Sequence, residues 1–129
     1  MKFSFTDEQQ EFRFVLRRFL EDKSPTSEVR RLMDTNDGCD PEVWRQLSQE
    51  LGLTAIHIPE SYGGQGFGIS ELAIAVEEMG RALLCAPYFA STVMAATAIL
   101  KSGSEDQKQL LLPDISAGET VATLAIAEE

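Results

Sequence analysis

Several residue types are scarce in this 129-residue chain, and each shortage narrows what the protein can be. There are only two cysteines, Cys39 and Cys85, which lie far apart and form no Cys-x-x-Cys pair, so neither a zinc site nor a redox motif is indicated. No apolar run approaches the length needed to cross a bilayer. The N-terminal segment MKFSFTDEQQ also lacks the apolar core of a secretory signal peptide, which predicts a cytoplasmic location.

Basic residues are scarce as well. Eleven lysines and arginines stand against 21 acidic residues, which gives a formal net charge of -10. Such a surface repels nucleic acid and anionic membranes, and it argues against this chain alone holding the phosphates of a ligand. The single histidine, His57, has no acidic neighbour in sequence and is interpreted as a surface or core residue rather than a catalytic base.

The chain does contain a helical pattern. Its residues are 43% hydrophobic, which suffices for the core of one domain. A capping box of Thr6 and Gln9 starts a first helix that runs to about residue 23. The other helices are predicted over residues 27–33, from the cap-and-proline pair Asp40-Pro41, from Ser70, over residues 91–101, and from the capping box of Ser104 and Gln107 to just before Pro113. In the helix predicted from Ser70, Glu77 and Glu78 are predicted to lie on a solvated face.

Two segments have β-type rather than helical composition. Residues 53–59 are predicted to form a short extended stretch, and residues 120–129 resemble the start of a strand. A lone strand leaves its backbone hydrogen bonds unpaired, so the second segment is interpreted as the first strand of a further domain. The sequence therefore predicts an all-α domain over 1–119, an orthogonal or up-down bundle of five to six helices, followed by a short C-terminal β segment.

Two features are possible site elements, and each also has a purely structural explanation. Four glycines lie between Gly63 and Gly68, but no Lys-Ser/Thr pair follows them, and their spacing is not that of a dinucleotide fingerprint. As a pattern alone, they indicate a tight connection between two helices. Further on, small residues and one thioether share a helix face, which suits either an apolar slot for a chain or close helix packing: Pro87, Ala90, Ser91 and Met94.

Two longer segments point to a family. IPESYGGQGFGISELAIAVEEMGR, residues 58–81, resembles the glycine-rich connection in the N-terminal helical domain of acyl-CoA dehydrogenases, which are flavoenzymes. Residues 103–129 resemble that family's last N-terminal helix and its entry into the next domain. Together they frame almost the whole chain in the right order. The resemblance implies an N-terminal domain without the family's middle β-domain and C-terminal helical domain.

The resemblance also implies a reaction. Full-length members of the family oxidise an acyl-CoA thioester to the 2-enoyl-CoA in fatty acid β-oxidation, with FAD as cofactor and an electron-transfer flavoprotein or similar acceptor as partner. They are commonly oligomers, so a homo- or hetero-oligomer is implied here. Their catalytic base belongs to the C-terminal domain, so no catalytic residue is expected in this chain, and the chain alone is expected to be catalytically silent.

The same resemblance assigns binding residues. The family's helix face that matches Pro87, Ala90, Ser91 and Met94 lines the acyl pocket opposite the flavin, with the Gly63–Gly68 loop near it. On the cofactor side, the resemblance implies Leu124, Ile126 and Ala127. The family usually carries an aromatic residue at the first of these positions and a hydroxyl residue at the last, so here only backbone groups are expected to contact the flavin.

Other functions stay open at this stage. The chain is also consistent with a non-enzymatic helical interaction module, with a degenerate partner subunit of a heteromeric dehydrogenase, or with an acyl-CoA carrier without redox chemistry. Flavin absorbance separates the dehydrogenase from the carrier, because only the dehydrogenase requires the cofactor.

Overall fold

A computed structural model describes residues 4–127, and within that range the chain is helical. The α-helices are α1 (Asp7–Lys23), α2 (Thr26–Met33), α3 (Pro41–Arg45), α4 (Ile69–Arg81), α5 (Ala96–Ser102) and α6 (Glu105–Ser116). A π-helical turn, Gln46–Glu50, continues α3, and a π-helical segment, Phe89–Ala95, leads into α5. The all-α prediction is confirmed.

The predicted helix starts are correct where a side chain caps the backbone. Thr6 Oγ1 accepts the Gln9 N–H at 3.2 Å at the start of α1, and Ser104 Oγ accepts the Gln107 N–H at 3.3 Å at the start of α6. In both boxes the glutamine side chain accepts the N–H of the cap residue in return. These hydrogen bonds are local, so three or four adjacent residues suffice to predict them.

The N-cap of α4 was predicted two residues too late. Gly68 rather than Ser70 stands at its N-cap, and the Glu71 carboxylate accepts the Gly68 N–H at 3.0 Å. Glu71 therefore satisfies the cap from inside the helix, and no hydroxyl residue is needed there.

The extended stretch predicted over residues 53–59 is also wrong. Residues 53–55 form a short 3₁₀ helix, which follows Gly52 in the left-handed conformation at φ +63°. Leu53, Ile56 and Ile58 are all buried. Because this segment is surrounded by protein on every side, its apolar run resembles the sequence of a buried strand.

Helix α6 runs past Pro113, where the sequence predicted its end. Proline lacks only its own N–H, while its carbonyl still accepts the Ala117 N–H at 2.9 Å. The turn after Pro113 also buries Ile115 and Ser116, which gives the extra turn a packing role. The helix ends before Gly118, whose φ is +73°.

The predicted C-terminal β segment does not form a strand in the part of the chain that is described. Residues 121–127 are neither helical nor part of a sheet, and residues 128 and 129 of the predicted segment lie outside the described range. A strand is defined by hydrogen bonds to a neighbouring strand, and there is no neighbouring strand among residues 4–127.

The core consists of two clusters. The larger one lies between α1, α4 and the 46–58 region, with Leu16, Leu20, Leu47, Leu72 and Tyr88 among its buried members. Val15 of α1 lies outside this cluster and is 48% exposed. The smaller cluster lies between α5 and α6 and contains Ile58, Ala96, Leu112 and Ile115.

Glu78, predicted to face solvent, is buried between α1 and α4. Its side chain is 1% exposed, and it accepts hydrogen bonds from Arg13 at 3.1 Å, Arg17 at 2.7 Å and Arg81 at 2.9 Å. The hydrogen bond from Arg17 is the main reason that the pKa of Glu78 falls from 4.5 to about 2. Its neighbour Glu77 is exposed, as predicted.

The C-terminus of α4 contains a strained residue. The Leu84 N–H donates to the Met79 carbonyl at 3.0 Å and the Leu83 N–H to the Gly80 carbonyl at 3.1 Å, the hydrogen-bond pattern of a Schellman cap. The left-handed position of this cap, usually glycine, is occupied by Leu83 at φ +51°. A side chain at such a φ costs about 1–2 kcal/mol.

Candidate functional site

The residues predicted to face the acyl chain lie on the π-helical segment Phe89–Ala95 and just before it. Pro87, Ala90 and Met94 are half-buried, so each retains some exposed surface. Ser91 differs from them, because it is only 1% exposed. Three of the four predicted residues are therefore accessible in this chain, and the fourth is covered.

The segment that contains Ser91 is not a regular α-helix. The Ala96 N–H donates to the Ser91 carbonyl, a bond between residues five apart, where an α-helix would pair residues four apart. The wider turn rotates side chains away from the positions expected for about 3.6 residues per turn. The spacing argument that placed the four residues on one face assumed a regular α-helix.

The Ser91 side chain joins two segments that are distant in sequence. Its Oγ accepts the Ala122 N–H at 3.1 Å, across 31 residues. Ala122 belongs to the C-terminal tail, defined here as residues 120–127. The segment predicted to contact substrate and the segment predicted to contact cofactor are thus in direct contact.

The tail is also attached where it leaves α6. The N–H groups of Glu119 and Thr120 donate to the Asp114 carbonyl at 3.0 and 3.1 Å. The Trp44 indole Nε1–H donates to the Gly118 carbonyl at 2.9 Å. Together these bonds fix the direction in which the chain departs from the helical bundle.

A groove of about 270 Å³ runs between α5, α6 and the tail. Its walls are mostly apolar, and they include Ala98, Ile99, Leu111, Ala122 and Leu124. Ligand sites in proteins usually measure about 300–1,000 Å³. This groove is therefore too small to enclose a long-chain ligand unaided, but it can supply one apolar wall.

The three residues predicted for the cofactor lie at the exposed end of the tail. Leu124 is 40% and Ile126 69% exposed, and Ala127 is exposed. None of the backbone groups of residues 123–127 is hydrogen-bonded to another part of residues 4–127. Their N–H and C=O groups fit the backbone contacts expected with a flavin ring, whereas the methyl side chain of Ala127 has no hydrogen-bond donor.

The glycine-rich loop packs against the bundle near the C-terminal end of α6. The Ser116 Oγ–H donates to the Gly63 carbonyl at 2.7 Å. A Cβ on Gly64 would lie 1.8 Å from the Ile58 carbonyl oxygen, so only glycine fits there. The loop is a close-packed connection, as its pattern indicated, and it lies against the helix from which the tail departs.

A second apolar groove, of about 260 Å³, lies at the C-terminal end of α4. The strained Leu83 and Phe89 border it and are 66% and 56% exposed. Phe89 begins the π-helical segment, so this groove lies next to Pro87 and Ala90 in sequence. The groove does not include the predicted substrate residues themselves, and neither does the groove beside the tail: Pro87, Ala90, Ser91 and Met94 line neither of the two.

His57 is a half-buried side chain that faces Thr97. Its Nε2 lies 3.2 Å from Thr97 Oγ1, and its buried Nδ1 has no hydrogen-bond partner within the described chain. Burial lowers the pKa of His57 below its usual 6.5. No carboxylate is hydrogen-bonded to the ring among residues 4–127, which supports the structural interpretation.

The sequence missed Ala122 as a site residue. The hydrogen bond there is made by the backbone N–H of Ala122, and every residue except proline has such a group. The residue type at position 122 therefore could not predict the contact. Only the position of the tail in three dimensions shows that this N–H meets the Ser91 hydroxyl.

Over the described residues, no helix combines the length and apolar character that a membrane span requires. The same residues contain no group of three or more histidine, cysteine, aspartate or glutamate side chains arranged to hold a metal ion. Cys39 and Cys85 are both half-buried free thiols.

Comparison with known proteins identifies a family. The sequence model described as "Acyl-CoA dehydrogenase, N-terminal domain" matches residues 6–119. The chain is 29% identical to acyl-CoA dehydrogenase IpdE2 of Mycolicibacterium smegmatis over 96% of this chain and 38% of that protein. It is 33% identical to acryloyl-CoA reductase (NADH) of Anaerotignum propionicum over 99% of this chain and 32% of that protein.

Solved structures agree in fold. The ChsE4-ChsE5 complex from Mycobacterium tuberculosis contains a chain that superimposes with a TM-score of 0.85 at 28% identity, over 95% of this chain and 34% of that one. Butyryl-CoA dehydrogenase from Megasphaera elsdenii superimposes with a TM-score of 0.74 at 29% identity, over 94% of this chain and 32% of that one. The chain thus spans about a third of the length of these relatives.

Proposed function

The chain belongs to the acyl-CoA dehydrogenase family, and on that premise we propose that it forms one wall of the acyl pocket in an FAD-dependent enzyme that oxidises an acyl-CoA thioester to the 2-enoyl-CoA. The pocket wall comprises Pro87, Ala90 and Met94, and the cofactor side comprises Leu124, Ile126 and Ala127. The catalytic base comes from outside residues 1–129.

One observation carries this proposal. The hydrogen bond between Ser91 Oγ and the Ala122 N–H brings the substrate-side and cofactor-side segments together, although they were predicted from separate stretches of sequence. In an oxidation of this kind the acyl chain must lie beside the flavin. Their contact places the two segments side by side, as a shared pocket requires.

The tail fits FAD through its backbone. The N–H and C=O groups of residues 124–127 have no hydrogen-bond partner among residues 4–127, and they are the groups that would hold the ring. When bound, FAD supplies the acceptor for the hydride that leaves the β-carbon of the acyl chain. Ala127 cannot add a side-chain hydrogen bond, so this chain's hold on the ring is expected to rest on its backbone and on apolar contact.

The chain's own residues contribute shape and desolvation. Apolar walls exclude water from the reacting carbons, which strengthens electrostatic interactions supplied by other groups. Pro87, Ala90 and Met94 have no ionisable side chain, so proton transfer is not assigned to this chain. Heteromeric relatives such as the ChsE4-ChsE5 complex support an oligomeric enzyme that passes electrons to an electron-transfer flavoprotein or similar acceptor.

The proposal is tested by narrowing the slot in the flavin-loaded enzyme that contains this chain. Ala90→Phe places a large ring on the predicted acyl face, and Ala73→Phe makes the same change on an exposed position of α4. We expect Ala90→Phe to raise the KM for acyl-CoA at least tenfold while Ala73→Phe leaves it unchanged. Equal kinetics for both variants across acyl lengths would remove the pocket role.

A degenerate partner subunit is the second candidate, and Ala127 favours it. Without a hydroxyl at this position the chain could complete a neighbouring subunit's pocket while binding no flavin of its own. The flavin absorbance spectrum of the purified enzyme distinguishes the two candidates, because one flavin per copy of this chain supports the dehydrogenase and a smaller ratio supports the partner subunit.

A further inference from the structure

We propose that Ser91 is a positioning residue whose hydroxyl fixes the cofactor-side tail against the substrate-side helix. The roles of the two segments rest on the proposed function, whereas the attachment itself rests on geometry alone. Ser91 was predicted to line the acyl slot through its small size. At 1% exposure it has almost no surface to offer a ligand.

All the backbone groups of Ser91 are used inside its own helix. Its N–H donates to the Pro87 carbonyl at 3.0 Å, and its carbonyl accepts the Ala96 N–H. Only the hydroxyl is left to reach outward, and it meets the Ala122 N–H at 3.1 Å. If Ser91 served only to pack closely, alanine would fill the same space.

The bond matters because of its position along the tail. Thr120 is held by the Asp114 carbonyl, and Ala122 is the last residue in 4–127 whose backbone is hydrogen-bonded to the bundle. Leu124 follows two residues later, at most about 7 Å from Ala122 along an extended chain. The Ser91 hydroxyl therefore sets the starting point of the segment that would meet the flavin.

Thr92 provides a matched control on the same helix. It is fully buried like Ser91, but its Oγ1 has no hydrogen-bond partner within the described chain. Thr92→Val removes a buried hydroxyl without changing shape. Ser91→Ala removes a buried hydroxyl that accepts the tail N–H. Any difference between the two variants reports on that bond rather than on helix packing.

The test is amide hydrogen exchange, measured by NMR on the chain without flavin or acyl-CoA. Losing one ordinary hydrogen bond should speed exchange of the Ala122 amide about fivefold in Ser91→Ala. Amides of α5 should keep their rates, and Thr92→Val should leave Ala122 unchanged. Ser91→Thr restores the hydroxyl and should restore slow exchange at Ala122.

Two results would overturn the proposal: an unchanged Ala122 amide in Ser91→Ala, or an equal acceleration throughout α5, which would mean that serine only supports the helix. Thermal unfolding of each variant confirms that exchange is compared between folded proteins. Because the measurement needs no ligand, it can succeed even if the enzyme proves to bind no flavin. Conversely, normal flavin binding with an unaffected Ala122 amide would end this inference and leave the proposed function intact.

Discussion

Removing the charge of Glu78 should destabilise the bundle strongly. The carboxylate is buried between α1 and α4 and receives hydrogen bonds from three arginines. Glu78→Gln keeps the size of the side chain and removes the charge that these guanidinium groups face. The variant therefore isolates the electrostatic contribution from packing.

The magnitude follows from the pKa of Glu78. The hydrogen bond from Arg17 is the largest cause of its fall from 4.5 to about 2. Since one pKa unit corresponds to about 1.4 kcal/mol, the charged form stabilises the folded state by about 3 kcal/mol. That is a large part of the total free energy of unfolding, which for a domain of this kind is about 5–15 kcal/mol.

The same shift fixes the pH dependence. A carboxyl group with a lowered pKa in the folded state contributes its full stability above the unfolded value of about 4.5, and the contribution is lost as the pH falls through about 2. The difference between the original chain and Glu78→Gln should therefore be about 3 kcal/mol at pH 7. It should shrink steadily below pH 4.5, because the protonated acid and the amide have similar shapes.

Urea unfolding followed by circular dichroism, at pH 7 and at steps down to pH 2.5, measures this difference. Glu77→Gln is the matched control, since it removes the same charge from the adjacent residue, which is 64% exposed and paired with Arg13 at 2.9 Å. An exposed pair contributes about 0–1 kcal/mol. Equal losses in the two variants, or a Glu78→Gln deficit as large at pH 2.5 as at pH 7, would refute the assignment of a buried, charged Glu78.

Two further predictions concern the backbone, and urea unfolding tests both. Leu83→Gly should stabilise the fold by about 1 kcal/mol, because it relieves the left-handed strain at φ +51°. Leu83→Ala keeps the Cβ and should therefore leave the stability unchanged. A stabilised alanine variant would mean that the exposed side chain, not the backbone, is unfavourable. Gly64→Ala should cost more than about 2 kcal/mol, because its Cβ would meet the Ile58 carbonyl. Gly80→Ala, with open space around the new Cβ, should be neutral or stabilising, and a similar loss in both alanine variants would contradict the close approach at Gly64.

The sequence predicted what depends on neighbouring residues. The capping boxes at Thr6 and Ser104 and the proline start of α3 each need only a few adjacent side chains, and all three are confirmed. The family resemblance, carried by the glycine-rich loop and the last helix, was sufficient for the fold as a whole. These features share the property that their partners lie close along the chain.

Features that depend on distant partners were not predictable in this way. Glu78 is buried because Arg13 and Arg17 lie 65 and 61 residues away in sequence and complete its environment. Ser91 is covered by a tail 31 residues further on, and it lies in a π-helical segment rather than in a regular α-helix. The residues around positions 78 and 91 predict neither the turn type nor the segment that covers the side chain.

The placement of Trp44 gives the chain a built-in optical reporter. It is the only tryptophan, and its indole N–H donates to the Gly118 carbonyl, two residues before the tail begins. If the backbone at residue 118 moved away, this N–H would turn to water and the emission of the indole would shift to longer wavelength. Attachment of the tail to the helical bundle can therefore be followed by fluorescence in the unlabelled protein, with no dye added to its surface.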